Sequence, residues 1–279
     1  MATTPVTEQT RTRRVAGHPV VVGVDGGPAS RAALDWAVTE AAALGRPLHL
    51  VHAHSVAVQW PDAMTVPPVP PAPTPVEDRV LVDAVARVGD VVDRAGVATT
   101  SVGGSAAAFL VEASAEATAV VLGAPHHGAL GSAIVGSTAL DVAAHALCPV
   151  VLVRADLPVS TLGHGVVVAS DGSDASRSAL EEGFRRADRL GLPLTVVHVW
   201  YMDYTGPDFL VPDLELERRR LGERERALIA ETVAQVATRH PDVVVRQEVV
   251  HGDPVKVLSE VSHGAEVVIV GSHGRGEVA

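Results

Sequence analysis

Two stretches of this chain are nearly the same: residues 20–36 read VVVGVDGGPASRAALDW, and residues 166–182 read VVVASDGSDASRSALEE. A Val-rich run, Asp-Gly, a short polar turn and Ser-Arg-x-Ala-Leu recur at an offset of 146 residues, Asp25 against Asp171. The echo continues through Gly45 and Gly191, Pro47 and Pro193, and His52 and His198. Further on the offset becomes 148, matching SVGGSAAAFL to VVHGDPVKVL and AVVLGAPHHG to VVIVGSHGRG. A period that long exceeds a solenoid unit and marks a duplicated domain. With 279 residues, 47% of them hydrophobic, the chain can bury two ordinary cores.

Each copy alternates apolar runs with helical patterns. In the first, PVVVGVD reads as a buried strand, then Pro28 stands where a helix begins and Gly45 where it ends. PLHLVHA is the second strand. Seven prolines between positions 61 and 75 exclude helix or central strand there and require a surface loop. A helix resumes from Glu77, with Leu81, Ala84, Val85, Val88 and Val92 on one stripe, and closes at Gly96. A strand near Val97–Val102, a helix near Ala106–Ala117, the strand AVVLG, a Gly-rich loop, a helix after Gly136 and the strand PVVLV complete the unit. Strands alternating with helices imply a parallel sheet covered on both faces.

The expected organisation is α/β: a tail over 1–18, a first domain over 19–155, a linker over 156–164 and a second domain over 165–279. Each domain is expected to be Rossmann-like, an open, mostly parallel five-stranded sheet flanked by helices. Matching the copies places the last helix and strand of the second one beyond Ala279, so that copy is expected to be truncated, with an open sheet edge. Its second helix is rich in charge around Arg218–Arg220 and Glu223–Arg226, which reads as a solvated face laced with ion pairs. Trp200, Tyr201, Tyr204 and Phe209 cluster after its second strand, either lining a ligand mouth or packing a loop.

Composition excludes several function classes. A net charge of −11 argues against nucleic-acid binding, which needs a basic surface. Cys148 stands alone, so neither a disulfide framework nor a multi-cysteine metal site can form. No apolar run is long enough to cross a bilayer. The Thr-rich start, with Arg11, Arg13 and Arg14, lacks the apolar core of a secretory signal. The expected location is the cytoplasm.

In an open parallel sheet the ligand crevice lies beyond the strand C-termini, where the strand order reverses. Asp25-Gly26 and Asp171 end the first strand of each copy. A carboxylate there can accept hydrogen bonds from sugar hydroxyls, or it can simply cap the next turn. The loop after the fourth strand runs from Gly123 to Gly136-Ser137-Thr138, opening a helix. Glycines admit phosphate close to backbone N–H groups, and a helix N-terminus adds donors and a favourable dipole.

These residues resemble the nucleotide-binding pattern of the universal stress protein family, G-x2-G-x9-G-[ST] after the fourth strand together with the Asp ending the first. The ending His145-Ala-Leu-Cys-Pro149-Val-Val-Leu-Val-Arg154 is similar to the family's as well. The resemblance spans both copies, from about Pro19 to Val153 and from Gly165 to Ala279. It implies a tandem protein of the adenine-nucleotide alpha-hydrolase-like kind that binds ATP, with or without Mg²⁺. It also implies that Asp25 meets ribose, the backbone of Ala53 meets adenine, and Gly123, Gly136, Ser137 and Thr138 hold phosphates. Asp171, Val199, Gly271 and Gly274 are the matching positions of the second copy. The last strand of each domain is a pairing surface in this family, which implies a homodimer through residues 150–153.

Two departures stand in the first glycine loop. The second glycine of the pattern falls at His126, whose β-carbon disfavours positive φ and crowds the phosphate path. Pro125 removes an amide donor. The second copy keeps Gly271-Ser-His-Gly274 and then stops short of any x9-G-[ST].

His126 and His127 lack the further ligands a metal ion needs. His52 and His198 read as packed, hydrogen-bonded core residues, and Cys148 as a buried, inert thiol. Lys256 is the only lysine, so no G-x4-G-K-[ST] phosphate loop exists. The expectation is a nucleotide-binding module rather than a turnover enzyme. A protein–protein scaffold with decayed sites ranks second, and a weak Mg²⁺-dependent ATPase third.

Overall fold

Alternating burial along the first strand fixes how the sheet is clothed. Val20 and Val22 pack to one face and Val21 to the other, all three essentially inaccessible to solvent. A strand buried on both sides belongs at the middle of a parallel sheet, and the computed structural model places it there. The structure describes residues 17–54, 78–89, 96–124, 136–154, 165–201 and 214–271. The chain divides into two units, residues 1–157 and 158–279.

The first unit runs β1 (Val20–Gly23), α1 (Pro28–Leu44), β2 (Leu48–His54), α2 (Arg79–Val88), β3 (Val97–Gly103), α3 (Ala106–Ser114), β4 (Ala119–Ala124), α4 (Ser137–His145) and β5 (Val150–Arg154). Its five strands are all parallel, in the order β3-β2-β1-β4-β5. Val20 pairs with Leu48 on one side and Ala119 on the other, so the strand order reverses between β1 and β4. Leu34, Leu48, Leu50, Leu81 and Val121 join Val20 and Val22 on the α1–α2 face. Leu110, Val120, Leu122 and Val142 join Val21 on the α3–α4 face. The small residues Ala33, Ala37 and Ala41 recur at helical spacing along the buried side of α1, letting it lie close to the sheet. Gly45 ends α1 in the left-handed conformation, φ 61°, with Arg46 N–H donating back to the Ala41 carbonyl.

The second unit repeats the plan with β6 (Val166–Ala169), α5 (Asp174–Leu190), β7 (Leu194–Trp200), α6 (Leu214–Ala237), β8 (Val245–His251), α7 (Pro254–Ser262) and β9 (Val267–Ile269). Among the described residues its sheet has four parallel strands, β8-β7-β6-β9. Phe184, Leu180, Leu194, Val196 and Ile229 build the core on the α5–α6 face. On the opposite face α7 contains no buried residue, and Val255 is 79% exposed. The fold class read from the sequence therefore holds in both units.

Local boundaries differ from expectation in three places. Helix α2 starts at Arg79 behind an Asp78 cap, and Val85 is 42% exposed, although Leu81, Ala84 and Val88 are buried. Apolar spacing placed Val85 on the stripe, but the buried residues are those at i, i+3 and i+7, with Val80 packed partly buried beside them. Val92 lies outside the described residues. Helix α3 ends at Ser114 rather than near Ala117, because the amides of Ala115, Glu116 and Ala117 each bond three residues back in a tight turn. Cys148 is half-buried rather than fully buried, its thiol directed at the Pro149 carbonyl at 3.6 Å.

Candidate functional site

The strand order reverses between β1 and β4, the point beyond whose strand C-termini open parallel sheets place their ligand crevice; here the Asp25 turn follows β1 and Gly136 opens α4. Asp25 is exposed, and its Oδ1 accepts the Gly27 amide at 2.7 Å, closing a turn around Gly26, whose φ of 78° suits glycine. The second unit builds the same turn: Asp171 Oδ1 accepts the Ser173 amide at 2.9 Å, around Gly172 at φ 74°. The turn-capping role weighed for these aspartates is therefore real, and it engages Oδ1 of each. Asp25 Oδ2 takes no hydrogen bond among the described residues. Arg31 closes the loop from outside, donating from Nη1 to the Gly26 carbonyl at 2.6 Å.

Ala53 reaches the crevice through its main chain. The Val51 carbonyl accepts Val24 N–H at 2.8 Å, on the β1 side, whereas the His54 carbonyl accepts Gly104 N–H at 3.1 Å, on the β3 side. Strand alternation then turns the N–H and C=O of Ala53 toward β1, one step beyond where β1 ends. Val199 stands alike, because Val197 accepts Ser170 N–H on the β6 side while Trp200 accepts Gly252 N–H on the β8 side. Both residues present paired main-chain groups past the end of the central strand.

Gly123 has a packing use beside the phosphate approach expected of it. A β-carbon there would stand 2.4 Å from the carbonyl carbon of Ala29 and 2.6 Å from the Ser30 nitrogen. The missing side chain thus makes room for the first turn of α1 against β4. Gly136, by contrast, caps α4 with open space where its β-carbon would be. Ser137 is exposed and Thr138 half-exposed in the first helical turn. Pro125, His126, His127, Gly128 and Gly274 lie outside the described residues; Gly271 is the last residue within them.

Helix capping separates the crevice from its surroundings. Helices α2 and α3 are capped by their own side chains, Asp78 accepting Leu81 N–H and Ser105 accepting Ala108 N–H, both at 3.3 Å. Helices α1 and α4 start instead on Gly27 and Gly136, and neither N-cap makes a side-chain hydrogen bond. At the two helices that flank the reversal point the first-turn amides (those after Pro28, which has none, and those of α4) therefore lack a side-chain cap. In the second unit the counterpart α5 is closed by Ser173, which accepts Ser176 N–H at 3.2 Å.

Beside the crevice lies a polar cluster that the sequence did not disclose. Asp78 Oδ2 accepts from His52 Nδ1 at 2.7 Å and from Ser101 Oγ at 2.7 Å, tying α2 to the ends of β2 and β3. Burial pushes the Asp78 carboxyl up, but the bonds from His52, Ser101 and the Leu81 amide outweigh it and hold the group below its usual range. In the second unit His198 is buried between the Ser170 carbonyl at 2.8 Å and Glu225 Oε2 at 3.0 Å. Both histidines are thus hydrogen-bonded residues at equivalent places. The signal available for Asp78 was its position as an Asp just before an apolar helical stripe; Glu225 is one charge among many on α6 and had none. Burial raises the Cys148 thiol, which keeps it protonated and unreactive. No group of three or more metal-ligating side chains occurs among the described residues, and no helix there is long and apolar enough to cross a membrane.

Two parallel sheets, each opened by an Asp–Gly turn at the reversal of strand order, define tandem Rossmann-like α/β domains. The model of the universal stress protein family matches residues 17–154 and 164–279. The chain belongs to that family. Universal stress protein Rv2005c of Mycobacterium tuberculosis is 35% identical over 274 residues, spanning 93% of this chain and 88% of the relative. Universal stress protein Rv1996 of the same organism is 32% identical over 288 residues, spanning 92% and 86%. In fold, the chain is similar to a universal stress protein from Archaeoglobus fulgidus at 16% identity, with a TM-score of 0.56 and coverage of 93% and 89%. It is likewise similar to protein PA1789 of Pseudomonas aeruginosa at 14% identity, with a TM-score of 0.60 and coverage of 94% and 85%.

Proposed function

We propose that the first unit binds an adenine nucleotide, ATP foremost, in the crevice between β1 and β4, and that binding rather than turnover is its task. The observation that carries this reading is the pair of glycine-capped helices, α1 and α4, whose first-turn amides lack a side-chain cap where the strand order reverses. Such amides, with the hydroxyls of Ser137 and Thr138, suit phosphate oxygens. Asp25 Oδ2 suits a ribose hydroxyl, and the outward main chain of Ala53 suits the hydrogen-bonding edge of adenine. A bound Mg²⁺ would neutralise phosphate charge. The sole lysine, Lys256, lies in α7, outside any glycine loop, so no lysine of a phosphate loop supplies the positive clamp of a phosphoryl-transfer site. Bound nucleotide acts by stabilising the state that binds it and thereby changing stability or partner surface. The second unit binds more weakly, since Ser173 already satisfies the first turn of α5.

Calorimetric titration with ATP and Mg²⁺ tests this. Saturable binding near one equivalent, lost in Asp25→Ala and Gly136→Val, is expected. An absence of heat and of thermal stabilisation at millimolar ATP would overturn it. A specific observation favours a second reading, an interaction scaffold without nucleotide. Asp25 Oδ1 and Gly123 both have structural uses that need no ligand. In that reading the exposed edge of β5 pairs with a second copy to form a homodimer, which sedimentation at micromolar concentration tests.

A further inference from the structure

The second unit holds a pocket away from the crevice, on the β8 side of β7. Its volume is about 300 Å³, and its walls are Trp200, His251 and the N-terminal half of α6. Trp200 and His251 are cross-strand partners at the ends of β7 and β8, and their rings meet edge to face, 4.6 Å between centroids. Above the indole passes Gly222, in the interior of α6, where glycine is a poor helix former. Its place has a packing reason: a β-carbon would lie 3.3 Å from Trp200 Cζ2 and 3.6 Å from Arg226 Nη1. Glycine lets α6 pass close over the ring, leaving only a methyl-sized notch at the edge of the pocket.

Cationic groups gather around that notch. Arg218, Gly222 and Arg226 share one helical stripe at four-residue spacing. The two arginines are separated by about 12 Å along the axis, a gap their long side chains can close over the glycine. Five of the ten charges on this helix are matched: Glu215 with Arg219 at 3.6 Å, Glu217 with Arg220 at 2.9 Å, and Glu225 with His198 at 3.0 Å. Arg218 and Arg226 have no ion-pair partner among the described residues. Glu223 also lines the pocket, but with Glu215 it faces three arginines. The matching positions of the first unit are His54 and Gly103, so this aromatic and basic arrangement belongs to the second copy alone.

We propose that this pocket binds a small organic anion bearing a planar ring. The ring lies in the pocket against the Trp200 indole, beside the Gly222 notch, and the carboxylate or phosphate sits between Arg218 and Arg226. An indole offers a flat, polarisable contact, and guanidinium groups pair with planar carboxylates or phosphates through two parallel N–H donors. The site is distinct from the proposed nucleotide crevice, because neither Asp171 nor Val199 is among the residues that line it.

Titration of the full chain with naphthoate tests the proposal, read by calorimetry and by the indole N–H resonances of the three tryptophans. Trp200→Phe assigns the relevant resonance by removing it. Saturable binding that shifts this resonance is expected, with cyclohexanecarboxylate, equal in charge but not planar, binding more weakly. Adenosine monophosphate in the same assay distinguishes a phosphate-bearing ligand from an aromatic carboxylate. Arg218→Gln and Arg226→Gln each weaken binding by about tenfold, while circular dichroism stays unchanged. Gly222→Leu fills the notch and abolishes binding, whereas Asp171→Ala leaves it intact. No saturable shift at Trp200 with either anion up to about 10 mM, affinity unchanged in the double arginine variant, or loss of binding in Asp171→Ala overturns the proposal.

Discussion

Replacing Gly123 with alanine separates a packing role from a ligand role at the glycine loop. The added β-carbon would lie 2.4 Å from the Ala29 carbonyl carbon, more than 1 Å inside the roughly 3.5 Å at which carbon atoms normally rest. The obstructing atoms are main chain, so no rotamer change relieves the clash. Helix α1 must lift from β4, loosening the contacts of Ala33, Leu34 and Ala37 with the sheet. Overpacking of this kind costs about 2–3 kcal/mol, which in a domain of this size lowers Tm by roughly 6–15 °C. Trp36 on α1, partly buried against the core, reports the displacement. Urea unfolding of a Trp60→Phe/Trp200→Phe background, followed by Trp36 emission, measures the loss. Gly136→Ala is the control: nothing lies within 4 Å of its β-carbon, and the helix-cap change costs below about 1 kcal/mol. If Gly123→Ala unfolds within about 0.5 kcal/mol of the parent with unchanged Trp36 emission, the packing argument is wrong. Loss of nucleotide binding in Gly123→Ala then reflects a displaced helix, whereas loss in Gly136 variants reflects the site.

Four further outcomes are expected. Asp78→Ala removes a helix cap and two side-chain acceptor bonds, and destabilises the first unit by about 1–3 kcal/mol in urea titration. The depressed carboxyl of Asp78 contributes stability that is present above its ordinary value of 3.8 and lost as pH falls through the lower folded value, so Asp78→Asn flattens that acid limb. His49 is buried against Thr100, with Nε2 and Oγ1 2.8 Å apart, and burial lowers its pKa below 6.5. The unfolded chain therefore binds the proton first, stability of the first unit declines as pH drops below 6.5, and His49→Gln removes that decline in melting curves. Phe184, fully buried and stacked on His240 at 5.6 Å, anchors the second core, and Phe184→Ala costs about 3–5 kcal/mol by equilibrium unfolding.

The elements that could be read from residues alone are those governed by local chemistry. Val20–Val22, Gly45 and Pro28 each announce a strand, a stop and a start, and the duplication let one copy corroborate the other. The Asp–Gly turns were legible for the same reason, since an Asp side chain and a positive-φ glycine act within three residues. What pattern could not supply was distance between elements. Nothing in the string AVVLGAP tells that Gly123 is filled by the main chain of Ala29, some ninety residues earlier. The Asp78–His52–Ser101 cluster likewise joins three elements through contacts that only the strand order creates. Val85 shows the remaining limit: apolar spacing names a helix face, but the width of that face depends on what lies opposite.

Strand order also sets a timetable for birth on the ribosome. The two neighbours of β1 begin at Leu48 and Ala119, so its second flank stays bare until the fourth strand has been made. The roughly 70 residues between Val51 and Ala119 take about 4–14 s to translate. Throughout that interval a parallel β1–α1–β2 unit with Val- and Leu-rich strands hangs from the exit tunnel with the β1 edge unsatisfied. Non-local parallel pairing of this sort is slow to close and prone to sticking. Any pause in translation between β2 and β4 lengthens that exposure.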